Sequence, residues 1–180
     1  MKTTHRWAAL AAGMIAMGGL CAYGSANPRT GPVDIPSEVQ HRLLSLPYYT
    51  VFDNLAYRVD GTQVTIMGQV VNPALPDEAV SAVKEVPGVT TVINDIQILP
   101  PSSMDARIRR AVFRAIYGDP ALQRYGEPTV PSIHIIVDNG TVTLVGMVAT
   151  ESDRDEAYIR TKTVPGTFGV NNDLRVNPGI

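Results

Sequence analysis

Residues 59–96 recur as residues 137–174 at a constant offset of 78, without a gap, and 16 of the 38 aligned positions are identical. Chance does not give that agreement, so one folding unit is written twice. The shared pieces keep one order. A Val-Thr-(Ile or Leu)-x-Gly-x-Val string stands at 64–70 and 142–148, Asp-Glu-Ala at 77–79 and 155–157, Val-Pro-Gly at 86–88 and 164–166, and Asn-Asp-(Ile or Leu) at 94–96 and 172–174. Two copies are too few for a solenoid, in which repeats lean on their neighbours for a core. Each copy must therefore close its own.

Each copy reads as helix, strand, strand, helix, strand. In the first, Pro36 opens a helix after Asp34, with Val39, Leu43, Leu44 and Leu46 on its buried side. Leu55, Tyr57 and Val59 alternate with polar or small residues, Asp60-Gly61 supplies turn chemistry, and Val64, Ile66, Gly68 and Val70 resume the alternation, which predicts a hairpin with one buried face. Residues 77–86 then place Ala79, Ala82, Val83 and Val86 on one helical face before Pro87-Gly88 stops the helix, and Val92, Asn94, Ile96 and Ile98 mark a last strand. In the second copy a helix over 104–117 carries the inward stripe Ile108, Ala111, Val112 and Ala115. Ile133, Ile135 and Val137 lead through Asn139-Gly140 to Val142, Leu144 and Val148, and Thr150 with Asp153 forms a capping pair for a helix running to Val164. The mid-strand glycines Gly68 and Gly146 mark a bulge or a tightly packed helix, and Asn94 and Asn172 fall on the apolar side of the last strands, where their amides bond turn backbone.

A helical stripe laid on a sheet with one wet face is a two-layer arrangement. The expected fold is therefore α+β: two tandem αββαβ sandwiches over 36–100 and 104–178, each with a small mixed sheet packed on two helices, joined by a short hinge at 100–103. A longer Gly- and Pro-rich segment, 118–131, separates the first helix and first strand of the second copy, and it is either a plain connection or the place where function has been added.

These motifs resemble the BON domain, a module of osmotically inducible periplasmic proteins and bacterial envelope lipoproteins. The matching features are the hairpin with Val59-Asp60-Gly61 or Val137-Asp138-Asn139-Gly140, the Gly68 and Gly146 strands, the helices ending in Val-Pro-Gly, and the closing Val-x-Asn-Asp at 92–95 and 170–173, each present twice in the same order. The resemblance covers residues 36–177. It implies an αββαβ module, commonly in tandem behind an export signal, that attaches to phospholipid membranes or other envelope components and carries no catalytic residues. The second copy departs from the pattern with Gly166-Thr167-Phe168-Gly169, and Arg160 and Thr161 replace Ala82 and Val83. That leaves its second helix either more loosely packed or used for contact.

The first residues fit export. Lys2, His5 and Arg6 precede an uncharged run from Trp7 to Leu20, and Tyr23, Gly24, Ser25 and Ala26 place small residues at the third and first positions before a cut ahead of Asn27. Residues 1–26 are read as a signal peptide, because the apolar run is shorter than the ~20 residues a spanning helix needs. Localisation would be periplasmic after cleavage, with a lipoprotein or membrane-anchored form left open by Cys21, which follows Gly18, Gly19 and Leu20 in a poor match to a lipidation motif. Without residues 1–26 the chain has 13 basic and 17 acidic residues, a formal charge of −4, which argues against nucleic acid as a partner.

Little in the sequence suggests catalysis or a cofactor. His5 leaves with the signal, His41 and His134 stand alone, and no second His or Cys lies at metal-ligand spacing. The acid pairs Asp77-Glu78 and Asp155-Glu156 sit where they complement helix dipoles. The charge distribution is more informative. Residues 36–100 hold three basic and seven acidic residues, whereas 104–178 hold nine of each. Arg107, Arg110 and Arg114 recur at spacings of three and four, on a helical face away from the apolar stripe, with Arg109 nearby. Such a row is either an ordinary solvated face or a surface for anionic lipid headgroups, each residue contributing ~1 kcal/mol near a charged membrane. Tyr158 and Ile159 on the last helix are weaker candidates for apolar insertion. The partner expected is an anionic phospholipid surface or an envelope protein, supporting envelope integrity or stress tolerance, or else a scaffold of an envelope complex without lipid.

Overall fold

The computed structural model describes residues 34–179, so the signal peptide expected at 1–26 and Cys21 lie outside the described residues. In the first module, α1 (Ile35–Leu44) begins after Asp34 with Pro36 in its first turn, where a missing N–H costs nothing. The hairpin of β1 (Asn54–Asp60) and β2 (Gln63–Val70) follows, then α2 (Leu75–Lys84) and β3 (Thr91–Ile98). β2 is the central strand, antiparallel to β1 and parallel to β3. Both helices cover one face of the sheet, enclosing Val39, Leu43, Val64, Ile66, Ala79, Val83 and Val86.

The second module repeats the path with α3 (Ser103–Tyr117), β4 (Ile133–Asp138), β5 (Thr141–Val148), α4 (Glu151–Lys162) and β6 (Gly169–Val176), in sheet order β4-β5-β6 with the same mixed pairing. Two separate three-stranded sheets thus stand in tandem within one compact unit. Ser102 caps α3 by accepting from the Asp105 N–H at 3.2 Å, and Thr150 caps α4 by accepting from Asp153 at 3.1 Å. Asn139 and Gly140 both take positive φ, as a two-residue hairpin turn of this hand requires.

Several details differ from the sequence reading. Leu44 is 44% exposed, because α1 ends there and the chain turns away from the core. α2 starts two residues early, since Leu75 and Pro76 are themselves buried. Asn94 is exposed and accepts only from the nearby Ile96 N–H, whereas Asn172 donates from Nδ2 to the Arg154 carbonyl at 3.0 Å, tying β6 to α4. Gly68 and Gly146 are needed for neither a bulge nor a helix contact. Their φ values are 134° and 129°, and a Cβ would lie 2.0 Å from the carbonyl oxygens of Asn54, the first residue of β1, and Ser132, the residue before β4.

The second module is not the looser one. It buries fifteen hydrophobic residues of its own against ten in the first, Val51 aside. Segment 118–131 supplies part of the difference by folding inward. Leu122 and Tyr125 are buried, and the Tyr125 hydroxyl accepts from the Ala149 N–H at 2.8 Å and lies 2.9 Å from the Asp153 carboxylate. The polar residues of α4 serve this segment: Arg160 reaches Asp119 at 2.6 Å, and Asp153 pairs with Arg124 at 2.7 Å.

Candidate functional site

The turn between α1 and β1 belongs to the first module by sequence and to the second by packing. Asp53, 1% exposed, holds it: its carboxylate accepts from Thr50 N at 2.9 Å, Thr50 Oγ1 at 2.7 Å and Val71 N at 2.7 Å. Three donors on one carboxylate make a stiff turn. Val51, at its tip, is buried in the core of the second module beside Ile133 and Ile135, and its carbonyl accepts from the Ile135 N–H at 2.8 Å. On the opposite face of β4, the His134 ring packs on Tyr49 with centroids 5.5 Å apart. His134 is therefore a buried packing residue. Burial pushes its pKa down, opposed by the Asp53 and Thr50 carbonyls and the Asp53 carboxylate, and Nδ1 has no partner among the described residues.

This docking brings Phe52 to α3. The Phe52 and Phe113 rings lie 6.1 Å apart, edge to face, and Phe113 continues to Tyr117 at 4.9 Å. Phe52, Phe113, Arg110 and Arg114 wall an apolar hollow of about 330 Å³. A second hollow of about 420 Å³ lies on the other flank of the helix, among Met104, Arg107, Ala111, Pro165 and Gly166. The arginine row runs between them. Arg107, Arg110 and Arg114 are exposed, and none has an ion-pair partner among the described residues. By contrast Arg124, Arg154 and Arg160 are each tied to acids.

Arg109 does not belong to that face. It is 5% exposed, and its Nη2 donates to the Val137 carbonyl. Asp105, one turn earlier, accepts from Asn139 N at 3.2 Å and Gly140 N at 2.8 Å, so the two side chains bind α3 to the β4–β5 hairpin. Burial pulls the Arg109 pKa down, while Asp105, Asp53 and Asp138 favour its charge. Arg109 is thus a structural cation. Tyr158 and Ile159 lie on α4, outside the walls of both hollows; Tyr158 is half-buried under the Lys162 ammonium, and Ile159 is 53% exposed. Sequence reasoning found the arginine row and missed Phe52 and Phe113. Phe113 could have been placed by its spacing of four from Tyr117 and three from Arg110, but nothing local to residue 52 indicates the second module.

Among the described residues no group of three or more His, Cys, Asp or Glu could hold a metal ion, and no helix is long and apolar enough to cross a membrane. What the site offers is a cationic ridge beside aromatic and aliphatic hollows. The fold is a tandem pair of αββαβ modules. The chain belongs to the BON domain family, whose model matches residues 35–100 and 105–178. It is similar to osmotically-inducible protein Y of Escherichia coli K12, with 30% identity over 130 residues, covering 68% of this chain and 61% of that relative. The aligned region thus takes in about three fifths of the relative's length. Among solved structures, the C-terminal domain of CdsD, a structural protein of the Chlamydia trachomatis type III secretion system, aligns over 82% of this chain and all of that chain at 12% identity and a TM-score of 0.30. A second CdsD structure aligns over 81% of this chain and 93% of its own at 11% identity and a TM-score of 0.29.

Proposed function

We propose that this protein is a non-enzymatic, periplasmic BON-domain protein whose second module docks on anionic phospholipid at the cell envelope and supports the envelope under osmotic or related stress. The observation that carries the reading is the row of Arg107, Arg110 and Arg114, solvent-facing, without acidic partners among the described residues, and flanked by apolar hollows. Guanidinium groups recognise phosphate with a forked set of donors, and a row of them on one helix meets a plane of headgroups together. The osmotic inducibility in the name of the Escherichia coli relative supports the stress setting.

The test is flotation of the exported protein with phosphatidylglycerol-containing vesicles, beside the triple variant Arg107→Glu, Arg110→Glu, Arg114→Glu. The wild type floats at low salt and is released as salt rises, and the variant stays at the bottom of the gradient. Salt-insensitive flotation of both proteins contradicts the reading. Recovery of one dominant envelope protein by cross-linking, without vesicle binding, favours the scaffold role instead.

A further inference from the structure

We infer that the membrane site is composite: the first module contributes Phe52 to a hollow on the second, and this hollow receives the acyl region of an anionic bilayer while Arg110 and Arg114 hold the phosphates. The inference rests on the lipid reading of the arginine row and adds what lies beside that row.

Neither module alone contains the hollow. Phe113 projects from α3 and is 38% exposed, an uncommon placement for a large aromatic ring on a helix with its own core stripe. The facing wall is Phe52, carried on the turn that Asp53 stiffens and Val51 roots in the second core. Val51 and the Ile135-to-Val51 hydrogen bond fix where the next residue can stand, so Phe52 is delivered to Phe113 by the backbone. The result is an apolar hollow lined by the two touching rings together with the side chains of Arg110 and Arg114. That juxtaposition matches an amphiphile with a negative head and an apolar tail, as interfacial helices pair a cationic row with aromatic insertion. The remaining exposed aromatics lack it. Phe168, 76% exposed, lies against the Gly140 turn, and Tyr48, 69% exposed, belongs to neither hollow.

The test uses the exported protein from Asn27 onward, which contains no tryptophan, so that one introduced tryptophan reports alone, placed by Phe52→Trp in one variant and Tyr158→Trp in another. Vesicles contain phosphatidylglycerol and phosphatidylcholine brominated on the acyl chains. The site predicts a blue shift and strong quenching at position 52, and little of either at 158. In parallel, Phe52→Ser, with an unchanged melting temperature, lowers the affinity for anionic vesicles roughly tenfold, which corresponds to a modest apolar contact. Flotation that persists without quenching at 52, or with wild-type affinity in Phe52→Ser, overturns the composite site and leaves the arginine reading standing. Absence of flotation in the wild type removes both together.

Discussion

The backbone N–H of Ile135 donates to the carbonyl oxygen of Val51 at 2.8 Å, a strand-like bond from the edge of the second sheet to a turn of the first module. Edge strands present unpaired backbone groups that invite association, and here the neighbouring module occupies part of that edge. The Val51 side chain enters the same core as Ile135, so covalent linkage through residues 100–103 is reinforced by burial at a second point. The two modules are therefore expected to be coupled in stability.

Val51→Ala tests that coupling. Removing two methyls from a 7%-exposed valine costs about 1–3 kcal/mol, and the loss is expected in the second module although the substitution lies in the first. Hydrogen exchange resolved by segment reads it, as lowered protection across α3 and β4. Loss confined to residues 35–50 counts against the coupling.

Acid should weaken the same contact. His134 is buried beside Tyr49, with the Asp53 carboxylate nearby, and burial holds its pKa below the ordinary value. The unfolded chain takes up this proton first as pH falls, near 6.5. The stability contributed by the neutral ring is thus complete above ~6.5 and declines below it, until the lower folded-state value is passed. Denaturation midpoints measured from pH 7.5 to 5 should fall in the wild type and fall less in His134→Phe, which keeps an aromatic ring against Tyr49. Equal slopes would remove His134 as the titrating group.

Arg109 and Arg110 are neighbours in sequence with opposite expected behaviour. Arg109→Ala removes a buried cation and leaves the Val137 carbonyl without its donor, which should cost about 3 kcal/mol in stability and leave the salt dependence of vesicle binding unchanged. Arg110→Ala should leave the melting temperature near wild type and flatten the salt dependence. Thermal melts and salt-graded flotation of the two variants separate these roles.

Gly146→Ala should be among the most damaging single substitutions in the second module, costing about 3 kcal/mol or more. Its backbone is at φ 129° and the new Cβ would stand 2.0 Å from the Ser132 carbonyl oxygen, so the β4–β5 pairing must open to admit it. Gly61→Ala, at φ 59° with nothing within 4 Å of the added carbon, should cost no more than about 1 kcal/mol. Urea denaturation of both variants provides the comparison.

What the sequence discloses depends on whether the cause is local. The offset of 78 shows the same element order twice, Thr150 and Asp153 show a helix start, and Asn139-Gly140 shows a hairpin turn, because each is written within a few residues of where it acts. The arginine row was legible from its spacing, but spacing alone put Arg109 beside it. The 100° step from Ile108 carries Arg109 toward the β4–β5 hairpin, and only the hairpin's position reveals that. Segment 118–131 was read as either a plain connection or a site of added function because it is rich in Gly and Pro, while Leu122 and Tyr125 enter the core at positions without periodicity. Val51 and Phe52 were invisible for a related reason. Their partners lie about 60–85 residues away in another module, in contact through tertiary docking alone.

The most direct measurement is the vesicle affinity of the wild-type protein across membranes of increasing phosphatidylglycerol fraction at fixed salt. The arginine ridge predicts steeply rising affinity with anionic content and negligible binding to pure phosphatidylcholine, a dependence that disappears in the Arg107→Glu, Arg110→Glu, Arg114→Glu chain. Equal affinity for neutral and anionic membranes, or an unaltered dependence in the triple variant, would contradict the account.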